Sequence, residues 1–178
     1  MSKTTIAYRV DNRSFTVGSV IDLSIPTYFA ELKTKELQLQ TKLQTDSSLW
    51  KRWYLITLKI KVENKLEIHR SNFYLYPTKP IRYDNVFLFK NLQDAQNFSR
   101  KFSIPNLYEV EIDEKNILHI GDYSCLDILM SALDKTDPEA TVSELSQIMD
   151  DYWSGKFTDN PVIEFIVNPS TAEVIRII

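Results

Sequence analysis

The amino-acid sequence predicts an α+β fold, with strands at both ends of the chain and helices in the middle. Residues 5–10 are rich in β-branched and aromatic side chains, which is typical of a strand. Residues 28–43 and 142–153 have the composition of helices, and the strand-like runs 162–167 and 173–178 close the sequence. The 178 residues suffice for one domain, 1–178, and show no repeat and no long linker.

The first third of the chain alternates extended and helical patterns. A turn at residues 11–14 follows the first strand, and Gly18 marks a bend in the segment after it. Residues 28–43 are rich in Lys, Gln, Glu and Leu, with leucines near helical spacing. Residues 49–69 fit two structures, because their apolar side chains can share one helical face while residues 56–62 alternate like a strand. Of the two, we predict a helix.

The middle of the chain predicts a strand, a helix and a strand. Pro77 and Pro80 interrupt any helix before the strand at residues 85–89. A short amphipathic helix follows at residues 91–101. Residues 107–112 alternate strictly between apolar and polar side chains and give the clearest strand pattern.

The last third predicts two helices and two strands. The helices cover residues 124–133 and 142–153, and Gly155 closes the second one. The strands at residues 162–167 and 173–178 are separated by a turn that contains proline.

Composition argues against several classes of protein. The three glycines, Gly18, Gly121 and Gly155, cannot build a P-loop or a Rossmann fingerprint. A net charge of -3 gives no general attraction to nucleic acid or to an anionic membrane. The single cysteine, Cys125, excludes an intrachain disulfide and, with only two histidines, argues against a structural metal site. The first ten residues lack the apolar core of a signal peptide, so a cytoplasmic protein without a membrane span is expected.

Several segments, taken in order, resemble ADP-ribosyltransferases. Tyr-Arg-Val at residues 8–10 and Gly-Ser-Val-Ile at residues 18–21 look like the opening of that superfamily, whose first strand carries Arg or His at the position of Arg9. Residues 86–89 and 107–110, with the helix between them, are similar to the next strand, helix and strand of the rifampin-modifying branch.

The last third extends this resemblance. Residues 151–155, Asp-Tyr-Trp-Ser-Gly, lead to residues 162–167, Val-Ile-Glu-Phe-Ile-Val, which are similar to the strand that carries the catalytic glutamate of the superfamily. An uncharacterised bacterial ADP-ribosyltransferase-like family combines such pieces with a Pro-x-Arg segment, which residues 80–82 match here. The resemblance implies two small antiparallel sheets around an NAD cleft, with flanking helices.

The resemblance also implies roles for individual residues, with NAD as the co-substrate. Glu164 is the expected catalytic residue, and the residues expected to contact NAD are Arg9, Arg82, Tyr83, Phe87 and Tyr152. Cleavage of the nicotinamide–ribose bond builds positive charge on the ribose, which a nearby carboxylate stabilises. Guanidinium groups bind phosphate or ribose oxygens, and an aromatic ring stacks on the nicotinamide.

The residues alone leave a simpler interpretation open. On the outer face of a sheet Glu164 would lie in solvent, and Arg9 would form an ordinary surface ion pair. Tyr152 at the end of a helix would likewise be a core anchor rather than a ligand contact.

The function that the resemblance implies is mono-ADP-ribosyl transfer from NAD to a macromolecule, in a toxin, defence protein or effector. The acceptor is a protein or a nucleic acid, and an antitoxin or inhibitor protein is a further expected partner. A small-molecule acceptor is a third choice. The basic run from Lys51 to Arg82 suits stacking on unpaired bases, and equally a protein partner or the core. The aromatic residues of this run are Trp50, Trp53, Phe73, Tyr74 and Tyr76.

Two departures from the superfamily pattern keep alternatives open. Val162 stands two residues before Glu164, where many arginine-modifying members carry Glu or Gln, so an arginine acceptor is less expected. Phe87 stands at a position that resembles a tyrosine of the second strand. A catalytically inactive binding module and an NAD glycohydrolase, which uses water as the acceptor, remain as alternatives.

Overall fold

The computed structural model describes residues 3–22, 28–72, 76–134 and 141–178. In this part the strands are β1 (Thr4–Asp11), β2 (Val86–Phe89), β3 (Asn106–Asp113), β4 (Ile117–Asp122), β5 (Ile163–Val167) and β6 (Ala172–Ile177). The α-helices are α1 (Tyr28–Lys42), α2 (Trp50–Asn72), α3 (Leu92–Phe102), α4 (Tyr123–Asp134) and α5 (Thr141–Ser154). The six strands form one antiparallel sheet in the order β4-β5-β2-β1-β3-β6, so the α+β prediction is confirmed.

Most predicted elements occur within a few residues of their expected bounds, with one strand missing from the prediction. The ambiguous segment 49–69 is helical, since α2 runs for 23 residues. The strand β4 was not predicted, because its inward-facing residues include the polar His119 and its end contains Gly121. Neither residue is typical of a strand interior.

The sheet is buried on both faces at its centre. All four residues of β2 are buried. Because successive strand residues point to opposite faces, Phe87 and Phe89 contact one core and Val86 and Leu88 contact the other. Continuous apolar runs of this kind are expected where both faces of a strand are covered.

All five α-helices of the described part pack on one face of the sheet. Their buried side chains form a single core with Val10, Phe87, Phe89 and Ile166 of the strands. The helix α2 lies in the middle of this layer and contributes five buried side chains: Ile56, Leu58, Ile60, Val62 and Leu66. Burial of each such side chain stabilises the fold by about 1.5–3 kcal/mol.

The segment after β1 covers part of the opposite face. Ile21 is fully buried there, and its N–H donates to the carbonyl of Ala172 at 2.8 Å. Gly18 has a φ of +85°, which glycine adopts without strain, so the predicted bend is confirmed. Its N–H donates to the carbonyl of Val174 at 2.8 Å, which fixes the segment against β6.

The sheet has a narrow joint in its middle. Eight residue pairs join β1 to β3, whereas the single pair Tyr8 and Phe89 joins β1 to β2. At this joint Arg9 Nη1 donates to the carbonyl of Phe87 at 2.9 Å, so a side chain supplies a bond between the strands. The resemblance implied two small sheets. The described strands instead form one, because this joint connects the half that contains β2 to the half that contains β3.

Candidate active site

Glu164 lies at the centre of the fold and is only 2 % exposed. On β5 it pairs with Phe89 of β2 and with Gly121 of β4, next to the core beneath the helices. The interpretation that Glu164 lies in solvent is therefore wrong. A buried carboxylate requires partners, because an unpaired charge away from water is strongly destabilising.

Two of the predicted site residues bind the Glu164 carboxylate. Arg82 Nη1 donates to Glu164 Oε1 at 2.6 Å, and the Tyr152 hydroxyl donates to the same oxygen at 2.5 Å. Arg82 Nη1 also contacts the Tyr152 hydroxyl. The guanidinium lies over the ring of Phe87, with its Cζ 4.4 Å from the ring centroid. The structure thus brings four of the six predicted site residues together.

Helix α2 adds two charged residues that were not predicted as site residues. The Glu63 carboxylate accepts two hydrogen bonds from the other edge of the Arg82 guanidinium, from Nε to Oε2 at 2.7 Å and from Nη2 to Oε1 at 3.2 Å. Lys59 Nζ lies 3.0 Å from Glu63 Oε1 and 4.4 Å from the ring centroid of Tyr123. Within the described residues the Lys59 ammonium makes no hydrogen bond of good geometry.

These four charged side chains form a compact ionic cluster: Lys59, Glu63, Arg82 and Glu164. Each is at most 2 % exposed. With all four ionised, two positive charges balance two negative charges, which makes the burial tolerable. The i, i+4 spacing of Lys59 and Glu63 on α2 is the sequence signal that indicates their half of this cluster.

The cluster drives the pKa values of its two carboxyl groups apart. Burial opposes ionisation of Glu63, but the positive charges of Arg82 and Lys59 outweigh it and lower the pKa to about 2. Burial raises the pKa of Glu164, and the opposing effects of Arg82 and Lys59 do not fully offset it. Neighbouring carboxyl groups whose pKa values are shifted in opposite directions occur in catalytic sites and also in structural ion-pair networks.

Arg9 lines the same small cavity as Glu164 but binds elsewhere. Its Nε and Nη2 donate to Asp11 Oδ2 at 3.0 and 2.8 Å. Arg13 binds the same carboxylate from the other side, with Nη2 2.9 Å from Oδ2. Burial disfavours the ionised form of Asp11, yet the two arginines lower its pKa to about 2. Arg9 is thus a buried ion-pair residue rather than a surface one.

The substitution Asp11→Asn is expected to reduce stability at neutral pH by about 2 kcal/mol or more, since the pKa of Asp11 falls from 3.8 to about 2 on folding. A depressed carboxyl pKa stabilises the fold above the unfolded pKa, and this stabilisation is lost as the pH falls from about 4 to about 2. Urea denaturation of both proteins at neutral and acidic pH measures the difference. Asp127→Asn, at an exposed ion pair with Lys101, is the control and should cost under about 1 kcal/mol. A difference for Asp11→Asn that persists at pH 2 would contradict this explanation.

Tyr83 is the predicted contact that the structure separates from the others. Its hydroxyl donates to Asn64 Oδ1 at 2.9 Å, and its ring stacks on Phe29 with centroids 4.1 Å apart. Burial, with help from the charges of Glu63 and Glu67, raises the pKa of this hydroxyl. Tyr83 therefore packs between α1 and α2 and does not line the Glu164 cavity.

Tyr152 is fully buried and held by its neighbours on the edge strand β4. His119 Nε2 lies 3.1 Å from the Tyr152 carbonyl and Nδ1 lies 3.3 Å from Lys79 Nζ. An ammonium only donates, so Nδ1 accepts and Nε2–H donates to the carbonyl. Burial and the charges of Lys79 and Arg82 lower the pKa of His119 to about 3, which keeps the ring neutral.

The substitution Gly121→Ala is expected to destabilise the fold by about 1–3 kcal/mol and to displace Tyr152 from Glu164. A Cβ at position 121 would lie 2.6 Å from Tyr152 Cε2, closer than carbon atoms approach without movement. Chemical denaturation measures the loss of stability, and near-ultraviolet circular dichroism detects the change in the packing of the Tyr152 ring against Trp153. Ile120→Ala, at a 43 % exposed neighbour on the same strand, is the control. Equal stability of Gly121→Ala and wild type would show that Tyr152 has room to move.

The cavity at Glu164 is small. It holds about 20 Å³ and is lined by residues that include Arg9, Lys59, Glu63 and Arg82. Such a volume accommodates about one water molecule, whereas small-molecule sites usually measure about 300–1,000 Å³. A groove of about 770 Å³ lies along β4 and contains none of the predicted site residues.

Other expectations meet a mixed outcome. Cys125 is buried, and burial raises the pKa of its thiol to about 12, as expected of an inert cysteine. The basic run contains the buried Lys59 and Arg82, and their burial weakens the run as a nucleic-acid surface. Phe73 and Tyr74 lie outside the described residues.

Among the described residues, no group of three metal-ligating side chains could hold a metal ion. No helix in that part of the chain is long and apolar enough to cross a membrane.

Comparison with known protein families found no family model that matches the chain. Comparison with curated proteins found no match either. The assignment of function therefore depends on the site itself.

Proposed function

We propose that the protein cleaves NAD at Glu164 and transfers the ADP-ribose to a macromolecular acceptor. The observation that carries this proposal is the Glu164 carboxylate on β5, hydrogen-bonded by Arg82 and Tyr152 beside Phe87 of the adjacent strand. Arg9 on the next strand, β1, lines the same cavity. The order of these residues along the chain matches the order in which the resemblance to ADP-ribosyltransferases places them. An ADP-ribosyltransferase-like fold is part of this proposal.

Each residue has a distinct part in the proposed reaction. The bond between nicotinamide and ribose breaks, nicotinamide leaves with the electron pair, and positive charge develops on the ribose. The ionised Glu164 stabilises that charge, while Arg82 and Tyr152 hold the carboxylate in one orientation. A nucleophile of the acceptor, a protein or nucleic-acid group, then forms a bond to the ribose carbon and loses its proton.

One observation favours a second candidate function. Because Lys59 and Glu63 of the central helix α2 close the cavity at Glu164, NAD does not fit the arrangement that the structure describes. A non-catalytic binding module, in which the ionic cluster has a structural role, requires no opening of the cavity. The proposed enzyme requires the cavity at Glu164 to open so that NAD can enter.

A single experiment separates the candidates. The protein is incubated with labelled NAD and cell extract, and the release of nicotinamide and the fate of the label are followed. Label on protein or nucleic acid supports the transferase and identifies the acceptor class. Label only in free ADP-ribose indicates a glycohydrolase, and no release of nicotinamide refutes the enzyme and favours the binding module. Growth arrest on expression, relieved by Glu164→Ala, would support a toxin.

A further inference from the structure

A polar groove opens at the surface between the end of β1, helix α1 and the start of α2. It measures about 350 Å³, and we call it the outer groove. Its lining residues are Asn12, Glu31, Thr34, Lys35, Gln38, Arg52 and Ser103. The volume falls in the range of about 300–1,000 Å³ that is usual for small-molecule sites.

Two small cavities lie between the outer groove and Glu164, and each shares lining residues with its neighbour. A second cavity of about 20 Å³ shares Glu31 and Lys35 with the outer groove. The same cavity shares Arg9 and Val10 with the cavity at Glu164. The three spaces are therefore neighbours, and Arg9 lines both inner cavities. Side chains of α2 also line these cavities: Ile56 in one, and Lys59 and Glu63 in the other.

Most of the charges near this passage are neutralised in pairs. Asp11 binds Arg9 and Arg13, with Oδ2 2.8 Å and 2.9 Å from their Nη2 atoms. Glu31 Oε1 lies 3.8 Å from Arg13 Nε. Two arginines thus balance two carboxylates at the inner end of the passage.

Two cations, Lys35 and Arg52, line the outer groove, and the Glu31 carboxylate lines it as well and attracts Lys35. Within the described residues no carboxylate forms an ion pair with Lys35 or Arg52. The Lys35 ammonium donates only to a neutral group, the carbonyl of Phe102, at 3.2 Å. Burial lowers the pKa of Lys35, and the positive charge of the nearby Arg52 lowers it further. Two cations held close together in a groove provide a binding position for an anion.

We propose that the outer groove binds the phosphate groups of a diphosphate-containing ligand through Lys35 and Arg52, and that it is the mouth of the passage to Glu164. That the ligand is NAD rests on the proposed function, whereas the affinity of the groove for a diphosphate does not. The diphosphate would lie in the outer groove, and the two inner cavities, of about 20 Å³ each, would have to widen for the remainder of NAD to extend past Arg9.

The test uses inorganic pyrophosphate as the probe and isothermal titration calorimetry as the measurement. Lys35→Gln and Arg52→Gln should each weaken pyrophosphate binding by about tenfold or more, because each removes a charge-assisted hydrogen bond. The matched controls are Lys42→Gln on α1 and Lys51→Gln on α2, which remove the same charge from exposed positions outside the groove. These controls should change the affinity by less than about twofold. Circular dichroism verifies that all four variants fold.

Two results would overturn the proposal. One is equal weakening of pyrophosphate binding by the groove variants and the controls, which would indicate general charge attraction only. The other is the absence of pyrophosphate binding to the wild type.

A nicotinamide-release assay distinguishes the failure of this proposal from the failure of the proposed enzyme. Pyrophosphate binding that depends on Lys35 and Arg52 without nicotinamide release would preserve the groove and refute the enzyme. Nicotinamide release with the same KM for NAD in Lys35→Gln and Arg52→Gln would refute the groove as a binding site for NAD and preserve the enzyme.

Discussion

Replacement of Arg82 by methionine is expected to lower the free energy of unfolding by about 3–5 kcal/mol, the usual cost of removing one partner from a buried ion pair. Arg82 is 1 % exposed and binds both Glu63 and Glu164. Its loss leaves three buried charges with a net negative charge, because Lys59 compensates only one of the two carboxylates. Urea denaturation measures the effect.

A double-mutant cycle tests the cause of this loss. Arg82→Met with Glu63→Met leaves Lys59 and Glu164 as a balanced pair, so the double variant should be less destabilised than the sum of the single variants. We expect a coupling of about 0.5–3 kcal/mol. Arg100→Met, at an exposed arginine, is the control and should stay within about 0.5 kcal/mol of wild type. Strict additivity would mean that Arg82 stabilises the fold by packing rather than by charge.

The substitution Glu164→Gln is expected to reduce nicotinamide release by about 10²–10³-fold, because the amide keeps the shape of the side chain and loses the negative charge. In the wild type the rate should rise with pH as Glu164 ionises, since burial raises its pKa. The residual rate of the variant should lack this dependence. Initial rates of nicotinamide release across acidic and neutral pH measure both effects.

The control for this prediction is Glu173→Gln, an exposed glutamate on β6 that should leave the rate unchanged. Because the Glu164 variant also disturbs the ionic cluster, rates are compared at equal folded fractions, measured by circular dichroism. Nicotinamide release by folded Glu164→Gln at the wild-type rate would refute the proposed mechanism.

The sequence predicts the strands of this fold well where the pattern is local. Residues 107–112 alternate in the sequence and lie in β3, and residues 85–89 contain the buried run of β2. The strand β4 escapes prediction because His119 occupies an inward position as a neutral ring. Its burial depends on Lys79 and on the Tyr152 carbonyl, which are distant in the sequence. Such partners become visible only when the chain is folded.

The candidate site also depends on partners that are distant in the sequence, which limits what the sequence predicts. The resemblance selected Arg82, Phe87, Tyr152 and Glu164, and the structure brings these four together. Their roles remain predictions. Lys59 and Glu63 were missed, since charged residues on a helix are normally solvated and only tertiary packing buries this pair.

The strand order has a consequence for synthesis of the protein. Each half of the sheet combines strands from distant parts of the chain: β1 pairs with β3, which pairs with β6, while β2 pairs with β5. A nascent chain on the ribosome therefore cannot complete either half until residues 163–177 have left the exit tunnel. Until then β2 lacks its partner β5 and β3 lacks its partner β6, so these strand edges are accessible to chaperones and proteases. Chains that end before residue 163 keep these edges unpaired and lack the Glu164 carboxylate of the ionic cluster.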